Sequence, residues 1–286
     1  MKGAYGRCFY GVQGAFGIPA VGYSALGIID RPHLNVPSGI EPLYSVGDWD
    51  PVELSEGMTL AEVGFSITAV EDPHFLQYAK RSAVTGELQW LTIKIGYHKG
   101  ADVYQAIIQD CKIGDITMRC DAGGRLNADV TLIGGKVAQL AADPGDMSFF
   151  SSRAYRWFEM TWDETRDLRA FEFYCRNGLD PIPVIAGTVT TRDPERVWDF
   201  LEEGASEIGG ELTYLLADAD VDLQDCLLTG ADHVMTFTSC SDVSPAQIMT
   251  LTLNGLKARN ADLQIPARGD IVVAVPYLLT DWALAG

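Results

Sequence analysis

Ile67-Thr-Ala-Val-Glu-Asp-Pro73 returns as Thr188-Val-Thr-Thr-Arg-Asp-Pro194, 121 residues further along the chain. Three more matches follow in the same order: Gly86-Glu-Leu-Gln-Trp-Leu91 with Gly210-Glu-Leu-Thr-Tyr-Leu215, Gln109-Asp-Cys111 with Gln224-Asp-Cys226, and Gly135-Lys-Val-Ala138 with Gly255-Leu-Lys-Ala258. Their offsets are 124, 115 and 120. Each match is weak by itself. Four in one order, with small insertions between them, read as an internal duplication.

The repeated pieces carry structural signals. Asp72-Pro73 and Asp193-Pro194 read as helix starts, with Asp as the N-cap and Pro at the first helical position. The first helix would carry Phe75, Leu76 and Ala79. The second would carry Val197, Trp198, Leu201 and Ala205, an apolar stripe at helical spacing. A strand precedes each helix, at 63–67 and at 183–189. Strands are expected after it at 88–97, 104–110, 116–120 and 128–133, and in the second copy at 212–223, 222–228, 234–239 and 248–253. The predicted fold is mainly β: two tandem sandwich or barrel domains, each with one short α-helix. The boundary falls in the Pro/Gly/Asp cluster at 142–146. This divides the chain into an N-terminal Gly-rich arm and Pro-rich loop (1–58), a first β domain (59–143) and a second (144–286).

Composition narrows the function classes. The chain has 286 residues, 39 Asp and Glu against 21 Lys and Arg, and a net charge of −18. The acid is concentrated in the second half. Up to Pro144 there are 16 acids and 11 bases, and from Gly145 onward 23 and 10. Such a chain lacks the cations that hold phosphates, so tight non-specific binding of nucleic acid is excluded. Six cysteines, none in a C-x-x-C, read as buried free thiols of a protein made in a reducing cytoplasm. The uncharged stretch from Cys8 to Ile29 holds five glycines and Pro19, which is unlike the helix of a signal peptide.

Catalytic and metal-binding patterns are missing. There is no phosphate-binding loop: Gly135-Lys136 is followed by Val137. No nucleophile elbow occurs either. His33, His74, His98 and His233 lack metal-ligand spacing and read as surface or internally satisfied histidines. Asp218, Asp220 and Asp222 resemble a calcium loop, but Leu223 and Thr229 stand where that loop needs Gly and Glu. On a strand the three Asp would share one face, which must then be well solvated. A carbohydrate-binding or glycosidase reading would need Trp157 and Trp162 beside Glu159 and Glu164. The chain is expected not to be an enzyme and to need no cofactor and no metal.

The opening Gly6-Arg-Cys-Phe-Tyr-Gly-Val-Gln-Gly-Ala-Phe-Gly17, and the segment from Tyr104 to Gly135 with its Asp110-Cys-Lys-Ile-Gly-Asp-Ile116 strand and turn, resemble tail tube proteins of long-tailed bacteriophages and viruses. The resemblance implies a β-sandwich or barrel with one helix. Six such domains would surround a channel, so that a two-domain chain would need three copies per ring. It further implies stacking of rings into a tube in the virion tail. The partners implied are the chain itself, tape-measure, terminator and tip or baseplate proteins, and viral DNA that passes without specific binding. No membrane partner is implied. An inner tube of a related contractile injection or secretion system is the alternative. In this reading Asp218, Asp220 and Asp222 are candidates for the channel wall. Phe9, Tyr10, Phe16 and Ile18 of the arm are candidates for contacts between rings, with the Gly-rich arm ordering only against a neighbour.

Overall fold

A computed structural model describes residues 5–35, 40–43, 53–56, 61–70, 74–99, 102–140, 155–162, 168–182, 200–215, 233–241, 248–259, 262–264 and 272–285. In chain order the elements are β1 (Tyr5–Val12), β2 (Ser24–Ala25), β3 (Gly27–Asn35), β4 (Ile40–Leu43), β5 (Glu53–Glu56), β6 (Ala61–Val70) and α1 (His74–Gln77). They continue with β7 (Leu91–Lys99), β8 (Asp102–Asp121), β9 (Asn127–Gly134), β10 (Lys136–Leu140), β11 (Tyr155–Trp162) and β12 (Leu168–Ile182). The last are β13 (Phe200–Leu215), β14 (His233–Ser241), β15 (Ile248–Ala258), β16 (Asp262–Gln264), β17 (Val272–Leu278) and β18 (Asp281–Ala285). The protein is mainly β. Sixteen strands form one antiparallel sheet, and β4 and β5 form a separate hairpin.

Alternation explains most of the strands. Along β9, Ala128, Val130 and Leu132 are buried while Asn127 and Asp129 are exposed, the period of a half-buried strand. The sheet closes over itself around one contiguous core that runs from Cys8 and Tyr10 to Trp282 and Leu284. Phe75 of α1 sits between Tyr10 of β1 and Phe65 of β6, with ring centroids 5.0 and 6.0 Å away. Phe171 of β12 stacks on Phe237 of β14 at 4.8 Å, and Phe173 meets Trp282 at 5.0 Å.

The two halves share a hairpin. In β8–β9, Asp115 faces Thr131, Ile116 faces Val130, Thr117 faces Asp129, Met118 faces Ala128 and Arg119 faces Asn127. Adding 121 to both members gives Thr236–Thr252, Phe237–Leu251, Thr238–Thr250, Ser239–Met249 and Cys240–Ile248, which are the pairs of β14–β15. Burial follows: Val130 and Leu132 are buried, and so are Leu251 and Leu253. Both hairpins then meet a glycine corner. β9 ends at Gly134 and, after Gly135, the chain continues as β10 onto the other end of β8. In β15, Gly255 takes φ 61, and the strand passes from β18 to β17. A positive φ is cheap for glycine, and strands that change sheets need such a bend.

Four expectations need correction. Residues 200–205, read as the end of a second helix, open strand β13 and pair with β12 through Leu201–Pro181 and Glu202–Asp180; Asp193-Pro194 lies outside the described residues. Strands 104–110 and 116–120 are one strand, β8, bent at Asp110, which takes φ 55. The 86–91 and 210–215 match is not structurally equivalent: Gly86 lies in a turn at φ 74, whereas Gly210 lies inside β13. The arm does not wait for a neighbour. β1 pairs with β7 from Tyr5–His98 to Val12–Leu91 and buries Cys8 and Tyr10 in the core, each large apolar side chain contributing roughly 1.5–3 kcal/mol. The proposed boundary at 142–146 lies outside the described residues. The sheet itself is continuous across it, because β12 adds to β8 over seven consecutive positions, Ala170–Asp121 to Arg176–Asp115.

Cys8, Cys111, Cys120 and Cys175 are buried free thiols. Burial pushes the Cys120 thiol up to about 12, with the nearby Asp121 carboxylate adding to the effect, and the Cys175 thiol up to about 11. Thiolate is the reactive form. These four side chains should therefore resist alkylation at pH 8 in the folded protein and react on denaturation. Rapid native labelling of any of them, located by peptide mass mapping, would contradict the burial.

Candidate functional site

A sheet face with charged and polar side chains runs across β6, β9, β8, β12, β13 and β17. Its side chains are set in rows by the strand register. One row runs Ser66, Asp129, Thr117, Tyr174, Gly209, Leu278. The next runs Gly64, Thr131, Asp115, Arg176, Glu207. A third runs Asn127, Arg119, Glu172, Glu211, Pro276. Lys257 extends the first row beyond Leu278. The rows cross from one half of the chain to the other at β8–β12 without a break.

This face carries an excess of acid. Along these rows Asp115, Asp129, Glu172, Glu207 and Glu211 stand against Arg119, Arg176 and Lys257, five carboxylates against three cations. Arg119 bridges Glu172 at 2.7 Å and lies 3.8 Å from Asp129, which also accepts from Ser66 Oγ at 2.5 Å. Arg176 lies 3.9 Å from Asp115 and stacks over Tyr174, whose hydroxyl donates to Glu207 at 3.1 Å. Partial burial raises the Asp115 carboxyl, and the Arg176 guanidinium opposes this. Burial and the Glu207 carboxylate both raise the Tyr174 phenol. Glu172 and Glu211 face each other in register as like charges, an arrangement tolerable only where water screens it.

A second cluster lies where β13 crosses the first half. Glu203 receives Lys112 Nζ, Arg81 Nη1 at 2.5 Å, and the backbone N–H of Leu88 at 3.1 and 3.2 Å. Arg81 also donates to the Gly204 carbonyl at 2.5 Å and to Ser206 Oγ at 3.3 Å. Ser206 passes the network to Asn177, which donates to the Ala79 and Ile113 carbonyls. Lys112 lies 3.7 Å over the Trp90 ring, and Trp90 packs on Phe16. A cleft of about 480 Å³ opens between Phe16, Trp90, Leu201 and these charges. Lys112 and Glu203 are engaged with one another, so the cluster ties the two halves together and presents no isolated reactive group.

The residues marked from sequence fall in different places. Asp218, Asp220 and Asp222 lie outside the described residues. Phe9 and Tyr10 are both buried, with 9% and 5% of their surface exposed, Tyr10 toward the core and Phe9 on the opposite face of β1. Tyr10 therefore holds β1 against Phe75 and Tyr78 and does not face a neighbour. Phe16 and Ile18 stay exposed, at 40% and 57%, on a loop that also presents Val21. That loop is preformed: Gly17 N donates to the Asp110 carboxylate at 2.7 Å, and Ala20 N to Thr92 Oγ1 at 3.2 Å. His33 covers Gly64, where an added Cβ would come within 2.0 Å of the ring. Among the described residues no three His, Cys, Asp or Glu side chains are grouped to hold a metal. The wet face escaped sequence reading because its charges come from strands far apart in the chain. The only local signal was alternation within each strand. Compared with known proteins, the chain matches no family model, and no curated sequence matches it.

Proposed function

We propose that this chain is a structural subunit that closes into rings of three and stacks into a tube, the tail tube of a long-tailed virus, with DNA passing through an acidic channel. The observation that carries this reading is the acid-rich sheet face that runs unbroken across both halves. Its side chains form rows of charged and polar groups paired with one another across strands, which suits a wall. Two copies of one hairpin at a spacing of 121 residues supply two quasi-equivalent units per chain. Three chains then place six such units around an axis, and a ring of this kind needs head-to-tail contacts that can also stack. The exposed Phe16, Ile18 and Val21 loop is suited to meeting the adjacent ring, as a small apolar patch beside polar surface.

Purified protein should form rings and tubes with a central channel in negative-stain images, and its smallest closed assembly should weigh three chains by native mass spectrometry. A monomer at every concentration and salt condition would overturn the proposal. Rings of six chains would overturn the stoichiometry.

A further inference from the structure

The hairpin repeat also relates the strands beside it. The outer edge of β8 in the first hairpin is covered by β12 of the second half, with Phe173 opposite Met118, Tyr174 opposite Thr117 and Cys175 opposite Ile116. Shifted by 121, the β8 positions become Ser239, Thr238 and Phe237 of β14. Their partners in the chain are Met160, Thr161 and Trp162 of β11. So β11 occupies, within its own chain, the edge that corresponds to the joint between the halves. It holds that edge weakly by comparison. Only four positions pair, and the register breaks between Tyr155 and Met160, against seven consecutive pairs for β12 on β8.

The same shift applied backwards takes Tyr174–Asn177 of β12 to Glu53–Glu56, which is strand β5. Among the described residues β5 pairs with β4 alone, and this hairpin joins no larger sheet. A two-stranded hairpin by itself is marginally stable in water and leaves strand edges unpaired. Among the described residues β5 therefore lacks the pairing that its counterpart β12 has. The chain also contains the corresponding edge, covered by a short substitute.

We infer that β5 of one copy displaces β11 and pairs with β14 of the next copy, with Glu53 opposite Thr238 and Leu54 opposite Phe237. The β12–β8 joints inside chains and the β5–β14 joints between chains then alternate around a ring. β11 acts as a cap that keeps the β14 edge from pairing before a second copy arrives, which is how an exposed edge is kept from indiscriminate association. The inference rests on the ring reading above and adds the strands that make the contact.

Two cysteine pairs test it in the full-length chain. Directly opposed positions of an antiparallel pair lie about 4.5–5.5 Å apart, within disulfide reach. Mild oxidation of assembled E53C/T238C should convert most of the protein into covalent species ending at three chains on a non-reducing gel, with neither single variant doing so. T161C/T238C should lock β11 onto β14 on oxidation, stay monomeric, and assemble when dithiothreitol is added. If wild-type protein forms rings but E53C/T238C gives no cross-linked chains, β5 is not the partner strand and this inference fails while the ring reading stands. Assembly of oxidised T161C/T238C would overturn the displacement of β11. A wild-type protein that never assembles would overturn both.

Discussion

Replacing Glu203 by Ala should lower stability by about 3–5 kcal/mol, the range found when one partner of a buried ion pair is removed. The Lys112 side chain is 3% exposed and cannot recover its lost partner by turning to water, whereas Arg81, 27% exposed, keeps the Gly204 carbonyl and Ser206. The backbone N–H of Leu88 would lose its acceptor as well. At this chain length the loss corresponds to a melting temperature lower by about 10 °C. Glu203→Gln should fall between, since the amide oxygen still accepts hydrogen bonds but carries no charge. Glu207→Ala is the control: Glu207 is exposed, and its hydrogen bond from Tyr174 lies in solvent, so a change within about 1 kcal/mol is expected. Circular dichroism melts of the three variants decide the matter. If Glu203→Ala melts with Glu207→Ala, the cluster does not hold the halves together.

Nothing in the sequence announced that cluster. Arg81, Lys112 and Glu203 lie far apart along the chain, and each alone is an ordinary surface charge by its neighbours. Their meeting depends on β13 crossing the first half, a long-range pairing that local pattern cannot report. The same kind of pairing overrode the second helix. Val197, Trp198, Leu201 and Ala205 have helical spacing, yet Gly204 disfavours a helix and β12 offers residues 200–205 a hydrogen-bonded ladder. The arm was misread for a related reason. Its glycines argue against autonomous folding, but Cys8 and Tyr10 alternate toward a core that β7 completes. What was legible was whatever repeats or alternates locally. The β character came through, as did the 128–133 and 248–253 strands and the offset of 121 that the two hairpins keep in their register.

Changing Glu62, Asp121 and Glu211 together to Lys should turn a chain that ignores DNA into one that retains it. Glu62 on β6, Asp121 on β8 and Glu211 on β13 alternate with buried neighbours toward this side of the sheet, and their replacement by Lys raises the charge by six per chain. The fold should tolerate this, because Asp121 and Glu211 are exposed, Glu62 is half-buried, and substitutions at such surface positions are usually mild. The Glu211→Lys change would also place a cation opposite Glu172, replacing a like-charge pair by an attractive one. In the proposed ring the change is multiplied by the number of chains. Facing positions such as 172 and 211 already lie within a screening length of roughly 8 Å at physiological salt, so salt does not remove the local effect. Phosphates would then be bound with release of counterions. A protein making six to ten phosphate contacts loses about 10³–10⁵ in affinity between 50 and 200 mM salt. The triple variant should accordingly bind double-stranded DNA at 50 mM salt and lose it steeply by 200 mM, while wild type binds at neither. Fluorescence anisotropy of a labelled duplex, with and without assembly, reads both. Binding by assembled and unassembled variant alike is expected for short duplexes. Retention of long DNA should require the assembled tube, since only an enclosed strand must slide past every ring to escape. If the variant assembles and still ignores DNA at low salt, this face does not line the channel.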